Sequence, residues 1–133
     1  EEDYFLASLG WAVTKKLPIW FVVEDNNLSI LTEKKYRRSW GMKEVAEGFG
    51  MQSFDIDDNP VSIWKALDQA SFDKPALFNI NTTRLFWHAG AGIDNHEEFD
   101  RHKSFLTKYY NFNLQQEAEN IVNEVWEKCR KNL

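Results

Sequence analysis

The chain has 133 residues, 43% of them hydrophobic with six Trp and ten Phe, so it is long enough for one domain with a real core and too apolar to be disordered. Its net charge of −5 argues against a nucleic-acid partner, and its single cysteine excludes an internal disulfide or a cysteine-based metal site and points to a reducing cytoplasm. No run approaches the ~20 apolar residues of a membrane-spanning helix and no secretory signal opens the chain, so no membrane association is expected.

Glu1-Glu2-Asp3 carries no initiator methionine and leads at once into an apolar-periodic segment, which reads as the continuation of a longer polypeptide. Tyr4 to Lys16 is predicted helical, because Phe5, Leu6, Leu9, Ala12 and Val13 recur on one face. Gly10 is unfavourable inside it, and Pro18 ends it. Ile19 to Val23 is apolar without alternation, the pattern of a strand covered on both sides. Asn26 to Trp40 is polar and unperiodic and reads as a loop. Its basic residues Lys34, Lys35, Arg37 and Arg38 are expected in solvent, where they suit an acidic partner surface.

Met42 to Phe49 follows as a short helix ended by Gly48 and Gly50, then Gln52 to Ile56 as a short strand. Asn59 suits a helix cap and Pro60 the first helical position, with Val61, Trp64, Leu67 and Ala70 as the expected buried face. Ala76 to Asn81 is the second clear strand. Trp87 to His102, with Gly90 and Gly92, reads as a mobile loop in which His96 and His102 are surface residues. The last helix carries the stripe Ala118, Ile121, Val122, Val125, Trp126 and Cys129, which suggests a buried thiol.

This order implies a single α/β domain over 1–133, with an open, mainly parallel sheet and helices on both faces. Three strands make a thin sheet, which suggests further strands upstream. Both clear strands end in polar residues. Ligands bind open α/β sheets at the edge where the strands' carboxyl ends emerge. Asn26 offers a hard amide oxygen suited to magnesium or calcium, and the main-chain oxygen of Leu28 lies two positions on. The same Asp-Asn-Asn run also favours a plain turn. Arg84 presents a fork that matches phosphate, and His88, four residues on, can exchange protons near neutral pH. An exposed arginine and a backbone-satisfied histidine explain that pair equally well.

Lys16-Leu17-Pro18-Ile19-Trp20-Phe21-Val22-Val23-Glu24-Asp25-Asn26-Asn27 resembles the second half of the thiamine-diphosphate signature, in which a Gly-Asp-Gly element precedes a strand ending in Asn-Asn. Asn81-Thr82-Thr83-Arg84-Leu85-Phe86-Trp87-His88 is similar to the arginine–histidine segment in α-subunits of 2-oxo acid dehydrogenases. Glu44 to Met51 and Asp55 to Pro60 resemble the family's helix-Gly segment and its Val-Asp-Gly-Asn-Asp turn, so the likeness runs in order from about Tyr4 to Phe105.

The resemblance implies a thiamine-diphosphate-binding fold, here partial, and an enzyme that decarboxylates a 2-oxo acid and passes on the acyl or aldehyde unit. Asn26 and the Leu28 carbonyl would hold Mg2+, Arg84 would contact the diphosphate, and His88 would act on the reacting centre. It also implies an oligomer with a β-chain or β-domain completing the active site, and a lipoyl group as acyl acceptor. The sequence departs from the family at several points. The Gly-Asp-Gly half is absent, Asn-Asn aligns on Asp25-Asn26, Ala89 replaces a serine and Trp87 a small residue. A non-catalytic interaction or regulatory module that keeps the fold without a complete cofactor site is the competing reading. A flavodoxin-like nucleotide-binding regulator ranks last, since the chain has no glycine-rich phosphate loop.

Overall fold

The structure, a computed structural model, describes residues 3–86, 88, 100–109 and 114–131. They fall in two compact units divided between Phe99 and Asp100.

The first unit opens with helix α1, Asp3–Lys15. Lys16 closes it in the left-handed region (φ 52°), while Leu17 N–H donates back to Ala12 O at 2.9 Å. A Cβ at Gly10 would meet the Phe49 ring at 3.4 Å, an ordinary van der Waals contact, so packing does not require glycine there. Strand β1, Trp20–Asp25, follows. The segment expected to be all loop then forms a small hairpin, β2 (Leu28–Ser29) with β3 (Thr32–Glu33), and a 3-10 turn over Lys34–Tyr36. Strands of two residues are too short to show alternation, so no sequence pattern announces them.

Helix α2 spans Met42–Gly48 and ends through Gly50, whose φ of +81° turns the chain into strand β4, Gln52–Asp57. Helix α3, Pro60–Gln69, starts as expected, with the Asn59 side chain accepting Val61 N–H at 2.9 Å. Its buried face agrees with the expected one in part: Ala70 is buried and Leu67 packs against the core, whereas Trp64 is 71% exposed, Val61 is also exposed, and Ala66 is buried in their place. The spacing fits both phases, and only the position of the sheet selects one. Strand β5 covers Ala76–Asn81, as the apolar run predicted.

The sheet order is β1-β5-β4, all parallel, with Val22 opposite Phe78 and Phe78 opposite Phe54. Alternate residues of β5 feed two cores. Leu77 packs with Leu9 and Ala12 of α1 and Met42 and Ala46 of α2. Ala76 and Phe78 pack with Ala66 of α3 and with Ala70, which caps its end. Helices therefore lie on both faces, as expected for an open parallel α/β sheet. On the α3 face Phe78 stacks on Phe54 with centroids 5.1 Å apart and meets the edge of Trp20 at 5.3 Å.

The second unit holds α4, Arg101–Tyr109, and α5, Leu114–Arg130. Helix α4 was not anticipated, although Asp100 accepts Lys103 N–H at 3.0 Å, a cap readable from sequence. His102 belongs to α4 and is exposed, while His96 and most of the expected loop lie outside the described residues. The stripe on α5 exists but is exposed, and Cys129 is an exposed thiol, not a buried one. Among the described residues no helix is long and apolar enough to cross a membrane.

Candidate functional site

The site begins where β1 and β5 end. These strands are hydrogen-bonded neighbours in parallel, and Thr82 N–H donates to Asp25 O at 2.9 Å just past the last register pair, Asp25 with Asn81. Asn26 therefore leaves the sheet one residue after β1, and Arg84 three residues after β5, at the same carboxyl edge. Asn26, Leu28 and Arg84 are half-buried, and His88 is exposed.

Two consecutive side-chain turns shape the segment after β1. Asp25 Oδ1 accepts Asn27 N–H at 2.9 Å, and Asn26 Oδ1 accepts Leu28 N–H at 3.0 Å. Asn27 takes the left-handed conformation (φ 64°) that asparagine tolerates, and its carbonyl accepts Lys34 N–H at 2.8 Å to close the hairpin. The turn reading of these residues is thus realised. An amide oxygen has two lone pairs, so the Leu28 bond leaves one on Asn26 for another donor or a cation.

The basic loop is not simply solvated. Lys34 Nζ and Arg38 Nη2 reach Asp25 Oδ2, the latter at 3.2 Å, with the Arg38 and Asp25 side chains 6% and 7% exposed. Arg38 also lies over the Trp40 ring, 4.8 Å from its centroid. Burial works against a charged Asp25, but Lys34, the Asn27 N–H and Arg38 outweigh it and hold the carboxyl below its ordinary range. Lys35 stays outside and pairs with Glu33 at 2.9 Å. Sequence spacing could not tell Lys34 and Arg38 from their neighbours, because the countercharge sits on a strand nine and thirteen residues earlier.

A second polar group lies on the α1–α2 face of the sheet. Asn79 is 5% exposed and donates Nδ2–H to Asp55 Oδ1 at 2.8 Å, which also accepts from Asn81 at 2.7 Å. Asn79 Oδ1 is buried with no hydrogen-bond partner among the described residues. Its signal was visible as an asparagine between Phe78 and Ile80 inside the strand.

At the hairpin tip Ile30 has φ 55°, a strained value for a β-branched residue, and both Ile30 and Leu31 are exposed. Among the described residues no group of three or more His, Cys, Asp or Glu could hold a metal ion. Asn26 and Leu28 offer a different donor set, an amide and a main-chain carbonyl. No family model matches the chain, and no curated protein matches it.

Proposed function

We propose that the chain is part of a thiamine-diphosphate- and magnesium-dependent enzyme that decarboxylates a 2-oxo acid and passes on the acyl or aldehyde unit. The observation that carries this reading is the parallel pairing of β1 with β5, which brings Asn26 and Arg84 out at one sheet edge. The donor chemistry fits the group. The spare lone pair of Asn26 and the Leu28 carbonyl are hard oxygens for Mg2+, which keeps its remaining positions for water and phosphate. Arg84, half-buried, presents a planar fork suited to a diphosphate. When bound, the cofactor supplies the electron sink for loss of carbon dioxide. His88, exposed on its loop, holds or delivers a proton at an imidazole nitrogen. A partner chain or domain supplies the remaining contacts.

Calorimetric titration of thiamine diphosphate, with and without Mg2+, tests the proposal. Binding is expected only with Mg2+, and Asn26→Ala and Arg84→Ala should each weaken it about tenfold or more, in line with the loss of one charge-assisted contact. Absence of binding with Mg2+ and the partner polypeptide present overturns it.

One observation favours the competing reading of a non-catalytic module. The Asn26 turn is closed by its own hydrogen bonds, and the preceding Asp25 is already neutralised by Lys34 and Arg38. That reading expects no cofactor binding and no effect of His88→Ala on any turnover.

A further inference from the structure

We infer that Arg38, with Lys34, is a positioning residue: acting through Asp25, it fixes the turn that carries Asn26 and so sets the oxygens offered to a cation. The inference rests on the cofactor reading above. It adds Lys34 and Arg38 to that reading, which lie nine and thirteen positions beyond Asp25 in the chain and meet it only in the fold.

Asn26 has little of its own to hold it. Its side-chain oxygen accepts Leu28 N–H at 3.0 Å, a bond inside the same turn, and an Asp-Asn-Asn run has alternative turns open to it. The residues that bracket Asn26 select one of them. On one side Asp25 O accepts Thr82 N–H at 2.9 Å, which ties the chain to β5. On the other, Asn27 O accepts Lys34 N–H at 2.8 Å, and Asn27 N–H donates to Asp25 Oδ1 at 2.9 Å. Asn27 is left-handed, at φ 64°, so the bracket also supports a backbone state that is unfavourable by itself.

The two carboxylate oxygens of Asp25 divide the task. Oδ1 shapes the turn, and Oδ2 accepts from Lys34 Nζ and from Arg38 Nη2, the latter at 3.2 Å. Both oxygens belong to one rigid plane, so a group that fixes Oδ2 also fixes the acceptor of Asn27 N–H. Of the two cations Arg38 is the stiffer. Its side chain is 6% exposed against 31% for Lys34, its guanidinium lies over the Trp40 ring, and its N–H donates to Lys34 O at 3.0 Å, which anchors the arm that carries it. A planar guanidinium also loses less freedom per bond than an ammonium on a flexible stem. Arg38 is itself a cation and cannot ligate one, so it acts on Asn26 only through Asp25. Partners one step behind a metal-binding group orient it, and their loss weakens metal binding by about ten- to a hundredfold.

Two measurements on the full chain test this. The first needs no metal: the NMR signals of the Asn26 side-chain amide and the Leu28 N–H should shift or broaden in Arg38→Lys, which keeps the charge but not the fork, and in Trp40→Leu, which removes the ring under the guanidinium, while signals of α3 stay unmoved. The second is calorimetric titration of Mg2+ with thiamine diphosphate and the partner polypeptide present. Affinity should fall about tenfold in Arg38→Lys and about threefold in Trp40→Leu, and change by less than about twofold in Lys43→Met, which breaks an exposed ion pair on α2. Binding is read on protein shown to be folded by circular dichroism, so a merely structural Arg38 would leave the affinity unchanged. Should Arg38→Lys not fold, Trp40→Leu decides. Unmoved Asn26 and Leu28 signals, or variants that bind Mg2+ as the parent does, overturn the inference and leave the cofactor reading standing. A parent chain that binds no Mg2+ under these conditions overturns the cofactor reading, and this inference with it.

Discussion

Asp25→Ala should destabilise the first unit far more than loss of an ordinary surface ion pair. The Asp25 and Arg38 side chains are 7% and 6% exposed, and Lys34 is 31% exposed, so two cations converge on one carboxylate largely out of water. An exposed pair contributes about 0–1 kcal/mol, whereas removing one member of a buried pair costs about 3–5 kcal/mol, because the remaining charge stays desolvated. The Asn27 N–H bond to Asp25 adds about 1 kcal/mol, which Asp25→Asn would retain. Urea unfolding followed by tryptophan fluorescence isolates this unit, since of the six tryptophans only Trp126 lies in the second. With an m-value of about 1.5 kcal/mol/M, the midpoint should fall by about 2–3 M. High salt should not mimic the variant, since buried pairs are weakly screened. A loss below about 1 kcal/mol would refute the reasoning and make the cluster an ordinary surface network.

The depressed Asp25 carboxyl sets a pH dependence. Its stabilisation is complete above the unfolded value of about 3.9 and is lost as pH falls through the lower native value, so between pH 5 and 2 Asp25→Asn should lose less stability than the parent chain, as read from urea midpoints at each pH. Asn79→Leu removes the Nδ2–H bond to Asp55, about 1.5–3 kcal/mol for a charged acceptor, and relieves a buried carbonyl with no partner among the described residues, about 1–3 kcal/mol, so the two offset and stability should change by less than about 1 kcal/mol; a loss above about 2 kcal/mol would show that removing the oxygen brings no compensating gain. Phe78→Ala, at 1% exposure between Phe54 and Trp20, should cost about 3–5 kcal/mol by chemical denaturation. A cost near 1 kcal/mol would mean that this core collapses around the gap.

The sequence by itself determined the elements whose signals are local. β5 is legible as Ala76 to Asn81 because a fully buried strand is a continuous apolar run bounded by a proline and polar residues. The start of α3 is legible because a cap and a first-turn proline act within three residues. The parallel arrangement followed from alternation of helices and strands. The tertiary structure alone decided which helix face is inside, since Trp64 and Ala66 lie on faces that the periodicity of α3 treats alike. It alone turned Lys34 and Arg38 inward while leaving Lys35 outside, because that choice depends on a carboxylate brought near by the hairpin. Within the second unit the α5 stripe and Cys129 are exposed, which an apolar period on one helix does not decide. Propensity and capping act over a few residues, whereas burial and countercharge are properties of neighbours distant in the chain. The edge shared by Asn26 and Arg84 joins both kinds: each residue type was readable in its loop, and their common edge exists because β5 inserts between β1 and β4.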